Sequence, residues 1–114
     1  MKKRGNDVLR IKHIVDALEI ILNSAKQITD YEFYQSDLHK YAVLKQIEII
    51  GEASNYLSEE LRNRYTEINW RELISARNVY VHGYFKIDWT IVWEFVETEA
   101  EPLYKKMIEI YNSL

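Results

Sequence analysis

Hydrophobic residues recur at alternating steps of three and four along most of the chain, the spacing that puts them on one face of an α-helix. The first such stripe contains Val8, Ile11, Val15, Leu18, Leu22 and Ala25, widened by Ile14, Ile21 and Ile28. Asn6 is the predicted N-cap, because its short polar side chain can accept a backbone N–H. The helix is predicted to end within 27–30, before a polar and aromatic connector at 31–35.

Ser36, another N-cap residue type, predicts the start of a second long helix. The seam of this helix contains Val43, Ile47, Ile50, Ser54 and Leu57, flanked by Leu44 and Ala53. Gly51 lies inside the helix, where glycine costs about 1 kcal/mol relative to alanine, so we expect close packing there. Ser58 then predicts a short helix that reaches about Tyr65.

Asn69 and Glu72 have the spacing of a capping box and predict the start of a third long element. The apolar side of this element contains Trp70, Leu73, Ile74 and Val81. Gly83 is placed just past its end, where glycine commonly terminates a helix.

Asp88 is the predicted cap of a final helix. The seam of that helix runs through Trp89, Val92, Val96, Ala100, Leu103, Met107, Ile110 and Leu114. Pro102 lies inside it and lacks the backbone N–H that a helix needs, so it should kink the helix or divide it in two.

Composition favours the same fold class, because 3 glycines and 1 proline leave few encoded turns. Four to five amphipathic helices with short connections predict an all-α, up-and-down bundle. A length of 114 residues is typical of a single domain, which we predict to cover 1–114.

Net charge and residue types exclude several functions. The formal charge of −3 argues against a generic basic nucleic-acid binder, so contact with RNA would have to be local or assembled from two copies. With no cysteine, disulfides, thiolate zinc sites and cysteine nucleophiles are excluded. Charged residues interrupt the N-terminal apolar stretch, so we expect no signal peptide, no membrane span and a cytoplasmic protein.

The most informative motif is Arg77, followed by four residues and His82, with Asn78 and Tyr84 beside them. On a continuous helix, Arg77 and His82 lie about 140° apart around the axis and roughly 7.5 Å along it. Because one helix cannot turn both toward one point, a complete site needs either local unwinding or a second copy.

These residue types suit metal-free RNA cleavage, in which the 2′-hydroxyl attacks the neighbouring phosphorus. His82 can move a proton near neutral pH. Arg77 offers a planar set of donors to the phosphoryl oxygens. Asn78 could fix the imidazole tautomer or bind a phosphate oxygen, and Tyr84 offers an aromatic face and a hydroxyl.

Two other interpretations fit the motif. Arginine and histidine near a helix C-terminus can simply complement the helix dipole. Alternatively, a non-catalytic helical module could use Arg77 and His82 to recognise a nucleotide phosphate, or could dock a nucleotidyltransferase.

The segment 75–85, followed by Ile87 and Asp88, closely resembles the signature of HEPN-domain proteins of the HepT-like group. The segment 47–53, with its Gly-Glu-Ala sequence, and the Trp93-Glu94 to Pro102-Leu103 arrangement resemble that family as well. The resemblance covers essentially the whole chain.

The resemblance implies a homodimeric, metal-independent endoribonuclease that acts as the toxin of a toxin–antitoxin pair. It places Arg77 and His82 of both subunits in one shared cleft, with RNA as substrate and no cofactor. It also implies a partner, a minimal nucleotidyltransferase antitoxin of the MntA type, which transfers AMP to Tyr84.

Other candidate residues give weaker signals. His13 and His39 are isolated, and no histidine pair has metal-ligand spacing, so we expect no metal site. The pairs Glu48–Glu52 and Glu59–Glu60 are typical of a solvated face. The N-terminal basic residues could touch RNA phosphates or remain solvated; they are Lys2, Lys3, Arg4, Arg10 and Lys12.

Overall fold

The computed structural model describes residues 2–76 and 86–114, and the regular structure in these ranges is helical. Its elements are α1 (Lys2–Gln27), α2 (Asp30–Gln35), α3 (Asp37–Asn55), α4 (Glu59–Arg64), α5 (Trp70–Ile74), α6 (Trp89–Glu94), a π-helical turn (Phe95–Glu99) and α7 (Ala100–Ser113). The long helix α1 packs against both α3 and α7. The prediction of an all-α bundle is confirmed. None of these helices is long and apolar enough to cross a lipid bilayer.

The predicted seams form the core. Residues of the three long stripes that are at most 5% exposed include Ile11, Ile14, Leu18 and Ile21 from α1, Val43, Ile47 and Ile50 from α3, and Val92, Val96, Met107 and Ile110 from the C-terminal helices. Helical spacing of apolar residues therefore identified the buried faces correctly.

The predicted start of α1 is wrong, because the helix begins at Lys2 and Asn6 lies inside it. Lysine and arginine are good helix formers, so nothing in 2–4 ends the helix before Asn6. The side chain of Asp7 is only 6% exposed and forms hydrogen bonds to a residue distant in the sequence. Its carboxylate accepts the backbone N–H of Ser58 at 2.9 Å and the Ser58 hydroxyl at 2.6 Å. This contact ties the first turns of α1 to the start of α4.

The predicted connector at 31–35 is also wrong, because these residues belong to α2. Thr29 caps that helix: its hydroxyl accepts the N–H of Glu32 at 3.2 Å, and the Glu32 carboxylate accepts the N–H of Thr29 at 2.9 Å. This capping box lowers the pKa of Glu32. The helix brings Phe33 into the core, where it is 0% exposed and stacks on Trp93 at 4.4 Å.

Three predicted N-caps are confirmed. The hydroxyls of Ser36 and Ser58 accept the N–H groups of His39 and Leu61, both at 3.2 Å. The Asp88 carboxylate accepts the N–H of Thr90 at 3.1 Å. Caps of this kind satisfy backbone donors that the helix itself cannot pair.

Close packing at Gly51 is confirmed as well. A Cβ atom on Gly51 would lie 2.6 Å from the carbonyl oxygen of Leu73. Since that atom belongs to the backbone, α5 would have to move to admit any side chain. The absence of a side chain at Gly51 therefore allows α5 to lie this close to α3.

The predicted third element is interrupted at Ser75, because α5 ends at Ile74; Ala76 is helical again, and the remainder of the predicted element lies outside the described residues. Ser75 leaves the helical conformation, with φ −100° and ψ 19°, and its hydroxyl donates to the carbonyl of Arg71 at 2.6 Å. Asn69 is the N-cap, accepting the N–H of Glu72 at 3.1 Å. The capping box is only half formed, because the Glu72 carboxylate accepts from the Asn69 side chain.

The division predicted in the last helix occurs ahead of Pro102, at the π-helical turn Phe95–Glu99. Pro102 is the third residue of α7 and follows the π-helical turn directly, in which the N–H of Ala100 still donates to the carbonyl of Phe95. The wide turn therefore separates α6 from α7, and the proline is accommodated just after it.

Candidate active site

The four residues predicted to form the site lie outside the residues that the structure describes. Arg77, Asn78, His82 and Tyr84 all fall within 77–85, as do Val81 and Gly83. Their roles and relative geometry stay predictions. The structure does describe the two ends between which this segment runs.

On its N-terminal side, the segment follows α5, which is firmly held. Trp70 is 8% exposed, and its indole N–H donates to the carbonyl of Tyr65 at 3.0 Å. The backbone of Leu73 lies against Gly51, as described above. Ala76, the last described residue before the segment, is half-buried and packs on the core. Arg77 therefore directly follows, in the sequence, a residue that packs against the core.

On its C-terminal side, the segment leads into the start of α6. Lys86 is exposed, and Ile87 packs against the core. Asp88 then caps α6 through Thr90 and Ile91. Both ends of the segment are thus anchored to the helical bundle.

A cavity of about 600 Å³ lies beside the first of these ends. Its apolar lining comes from α3, α5, α6, the π-helical turn and α7. Its polar lining consists of Glu67, Asn69, Glu72, Glu94, Thr98, Glu99 and Lys106. Ala76 also lines it, so the cavity borders the chain where the candidate segment begins.

Negative charge dominates the lining of this cavity. The ammonium group of Lys106 lies 2.9 Å from the Glu67 carboxylate, and the hydrogen bond between them lowers the pKa of Glu67. Burial, reinforced by the charges of Glu72 and Glu94, raises the pKa of Glu99. A phosphate group would be repelled here, so this cavity is unsuited to the backbone of RNA.

Neither of the described histidines, His13 and His39, lines this cavity. His13 is exposed on α1, and Nδ1 of His39 lies 2.7 Å from the Ser36 hydroxyl, within the cap of α3. Within residues 2–76 and 86–114, no group of three potential ligands could hold a metal ion. The pairs Glu48–Glu52 and Glu59–Glu60 are exposed, as predicted.

Two residues of the N-terminal basic cluster are already engaged within the chain. The guanidinium of Arg10 lies 5.1 Å from the ring centre of Tyr56. Lys12 pairs with Asp16, and this hydrogen bond raises the pKa of Lys12. The charge of Lys12 is therefore partly neutralised by Asp16, whereas Arg10 keeps its charge.

Sequence analysis missed two features of the described residues. The first is Glu99, brought to the cavity by the π-helical turn; Pro102, three residues later, was the available signal. The second is the exposed outer face of α2, hidden by treating 31–35 as a connector. The spacing of Thr29 and Glu32 would have revealed that helix.

Comparison with known proteins identifies the family. The family model described as "Ribonuclease HepT-like" matches residues 14–110. A Methanocaldococcus jannaschii protein named "putative RNase" is 34% identical over 97 residues, covering 85% of this chain and 88% of that protein. The "probable ribonuclease HepT" of Thermococcus cleftensis is 31% identical over 103 residues, covering 90% and 92%.

A further relative from M. jannaschii is a longer protein, named "gamma-glutamylcyclotransferase and putative RNase". It is 33% identical over 104 residues, which cover 91% of this chain but 47% of that protein. No solved structure gives a significant match. Because the family model spans most of its length, the chain belongs to the HepT-like ribonuclease family.

Proposed function

We propose that this chain is a homodimeric, metal-independent endoribonuclease, the toxin of a toxin–antitoxin pair, built as one domain over residues 1–114. The observation that carries the proposal is the Arg77–x4–His82 motif in a chain matched along most of its length by a ribonuclease family model.

In the proposed reaction, the ribose 2′-oxygen forms a bond to the adjacent phosphorus as the bond to the 5′-oxygen breaks. His82 takes the proton from the 2′-hydroxyl, and the departing 5′-oxygen gains a proton from water. Arg77 stabilises the charge that builds on the phosphoryl oxygens. The products are a 2′,3′-cyclic phosphate and a free 5′-hydroxyl.

The chemical test is cleavage of single-stranded RNA by the purified protein in excess chelator. We expect turnover to persist and the new ends to be cyclic phosphates, because the nucleophile belongs to the RNA itself. Activity that requires added Mg²⁺, or ends that carry a 5′-phosphate, would contradict this mechanism.

The second part of the proposal concerns silencing by an antitoxin of the MntA type, a minimal nucleotidyltransferase that transfers AMP to Tyr84. A bulky anion there would block the approach of RNA and compete for the charge of Arg77. Co-expression with that enzyme should raise the intact mass in steps of one adenylyl group and abolish cleavage. A Tyr84→Phe chain should gain no mass, whereas Tyr56→Phe should still be modified. Adenylylation of the Tyr84→Phe chain would refute the assignment.

A second candidate function is a non-catalytic helical module that binds the nucleotidyltransferase or nucleotides. The net charge of −3 and the carboxylate-lined cavity favour binding of the nucleotidyltransferase over binding of RNA or nucleotides, because both disfavour phosphate groups. Tight partner binding without RNA turnover, and without growth arrest when the chain is expressed alone, would select this function instead.

A further inference from the structure

The cavity lined by α3, α5, α6, the π-helical turn and α7, which we call the acidic cavity, has the size and lining of a small-molecule site. Its volume of about 600 Å³ falls within the range of ligand pockets, which are mostly apolar with a few placed polar groups. Side chains that contribute to its apolar lining include Ile47 and Ile50 of α3, Leu73 of α5, Phe95 of the π-helical turn and Leu103 of α7. Such a lining favours a ligand with an apolar body.

The charged groups that line the acidic cavity in the described part of the chain are four carboxylates and one ammonium group. The ammonium group, that of Lys106, is paired with Glu67 at 2.9 Å. Glu72, Glu94 and Glu99 form no ion pair with any residue that the structure describes, and of the three only Glu72 accepts a side-chain hydrogen bond there. The cavity therefore offers three carboxylates without a cationic partner.

These three carboxylates come from separate elements and lie close enough to interact. Glu72 belongs to α5, whereas Glu94 is the last residue of α6 and Glu99 the last of the π-helical turn. Burial first, and then the charges of Glu72 and Glu94, raise the pKa of Glu99. Because like charges repel, a cation bound between them would relieve this repulsion.

The arrangement favours an extended organic polycation over a phosphate or a single metal ion. A phosphate would be repelled by the carboxylates. Within 2–76 and 86–114, no three carboxylate or histidine side chains converge closely enough to hold one metal ion. Carboxylates that do not converge, on a cavity with an apolar lining, match ammonium groups separated by methylene chains, which combine charged hydrogen bonds with apolar contact.

We propose that the acidic cavity binds a linear aliphatic polyamine. Its ammonium groups pair with Glu72, Glu94 and Glu99, and its methylene chains cover the apolar lining. Ala76 also lines the cavity, so the bound polyamine lies against the residue that directly precedes 77–85. The inference goes beyond the proposed function and does not depend on it, since binding requires neither a second subunit nor RNA cleavage.

The experiment is isothermal titration calorimetry of the full chain with spermidine, at physiological ionic strength. We expect saturable binding of one spermidine per chain. Glu94→Gln and Glu99→Gln should each raise the dissociation constant about three- to tenfold, because each removes one ion pair with an ammonium group. Glu97→Gln, a matched change on the same π-helical turn but outside the cavity lining, should leave the dissociation constant unchanged. Helical circular dichroism should stay at wild-type strength, since all three glutamates are exposed.

A competition with Mg²⁺ tests whether general attraction of counterions explains the binding. At an equal concentration of charge, Mg²⁺ should leave most of the spermidine bound, because it has no methylene chain to cover the apolar lining. The proposal is overturned by a wild-type chain that shows no saturable binding, by Glu94→Gln and Glu99→Gln chains that bind as tightly as wild type, by equal weakening in Glu97→Gln, or by full displacement with Mg²⁺. Because the titration contains no RNA, its result and that of the nuclease test can fail separately.

Discussion

Replacing His82 by alanine is expected to lower the rate of RNA cleavage by about 10²- to 10⁴-fold, the usual contribution of a positioned acid or base. The loss should appear in kcat, because the side chain is assigned to proton transfer rather than to holding RNA. Single-turnover cleavage of a labelled oligonucleotide measures it. The variant should sediment as the wild-type chain does.

The two remaining histidines supply matched controls. His13 is exposed on α1, and His39 belongs to the cap of α3, where its ring contacts the Ser36 hydroxyl. His13→Ala should keep wild-type turnover, and His39→Ala should keep it at temperatures where α3 stays folded. If His82→Ala cleaves RNA as fast as these controls, His82 has no part in the chemistry.

Truncating Phe33 to alanine should lower the free energy of unfolding by about 3–5 kcal/mol, the range found for fully buried aromatic residues. Phe33 is 0% exposed, stacks on Trp93 at 4.4 Å and meets Trp89 edge-on at 6.3 Å. The truncation would leave a cavity between α2 and α6. Urea unfolding followed by circular dichroism at fixed protein concentration measures the change.

Gln35→Ala is the control for this change, because Gln35 is exposed at the end of the same helix. It should alter the free energy of unfolding by less than about 0.5 kcal/mol. A Phe33→Ala chain as stable as Gln35→Ala would show that α2 contributes little to the core. We therefore expect a large contribution to stability from Phe33, a residue that sequence analysis assigned to a connector.

Local patterns predicted most of the bundle. Stripes at helical spacing identified the buried faces of α1, α3 and α7, and the caps at Ser36, Ser58 and Asp88 follow from side chains that accept nearby N–H groups. The errors at Asn6 and at 31–35 are local as well. In the first case Asn6 was treated as the start of a helix that begins at Lys2. In the second case residues 31–35 were treated as a connector, although they belong to α2.

Contacts between distant parts of the chain could not be predicted in the same way. Asp7 bonds to Ser58, 51 positions away, and periodicity contains no information about that pairing. Gly51 was expected to allow close packing, but its partner, the carbonyl of Leu73, emerges only from the fold. The π-helical turn Phe95–Glu99 was likewise not predicted, because the apolar spacing was interpreted on a regular α-helix.

The candidate site is a prediction from residue types rather than from geometry. The angular argument for Arg77 and His82 assumes a continuous helix over 77–82, which lies outside the described residues. The separation of these two side chains is therefore a property of residues 77–85 themselves. The requirement for a second subunit has to be tested by experiment.

The most direct test mixes two inactive chains. Arg77→Ala and His82→Ala are each expected to be inactive as homodimers, and the heterodimer formed by co-expression with two different affinity tags retains one Arg77 and one His82. A cleft shared between subunits predicts that this heterodimer cleaves RNA at least about tenfold faster than either homodimer. A heterodimer as inactive as its parents would show that the two side chains must come from one subunit, contradicting the shared site.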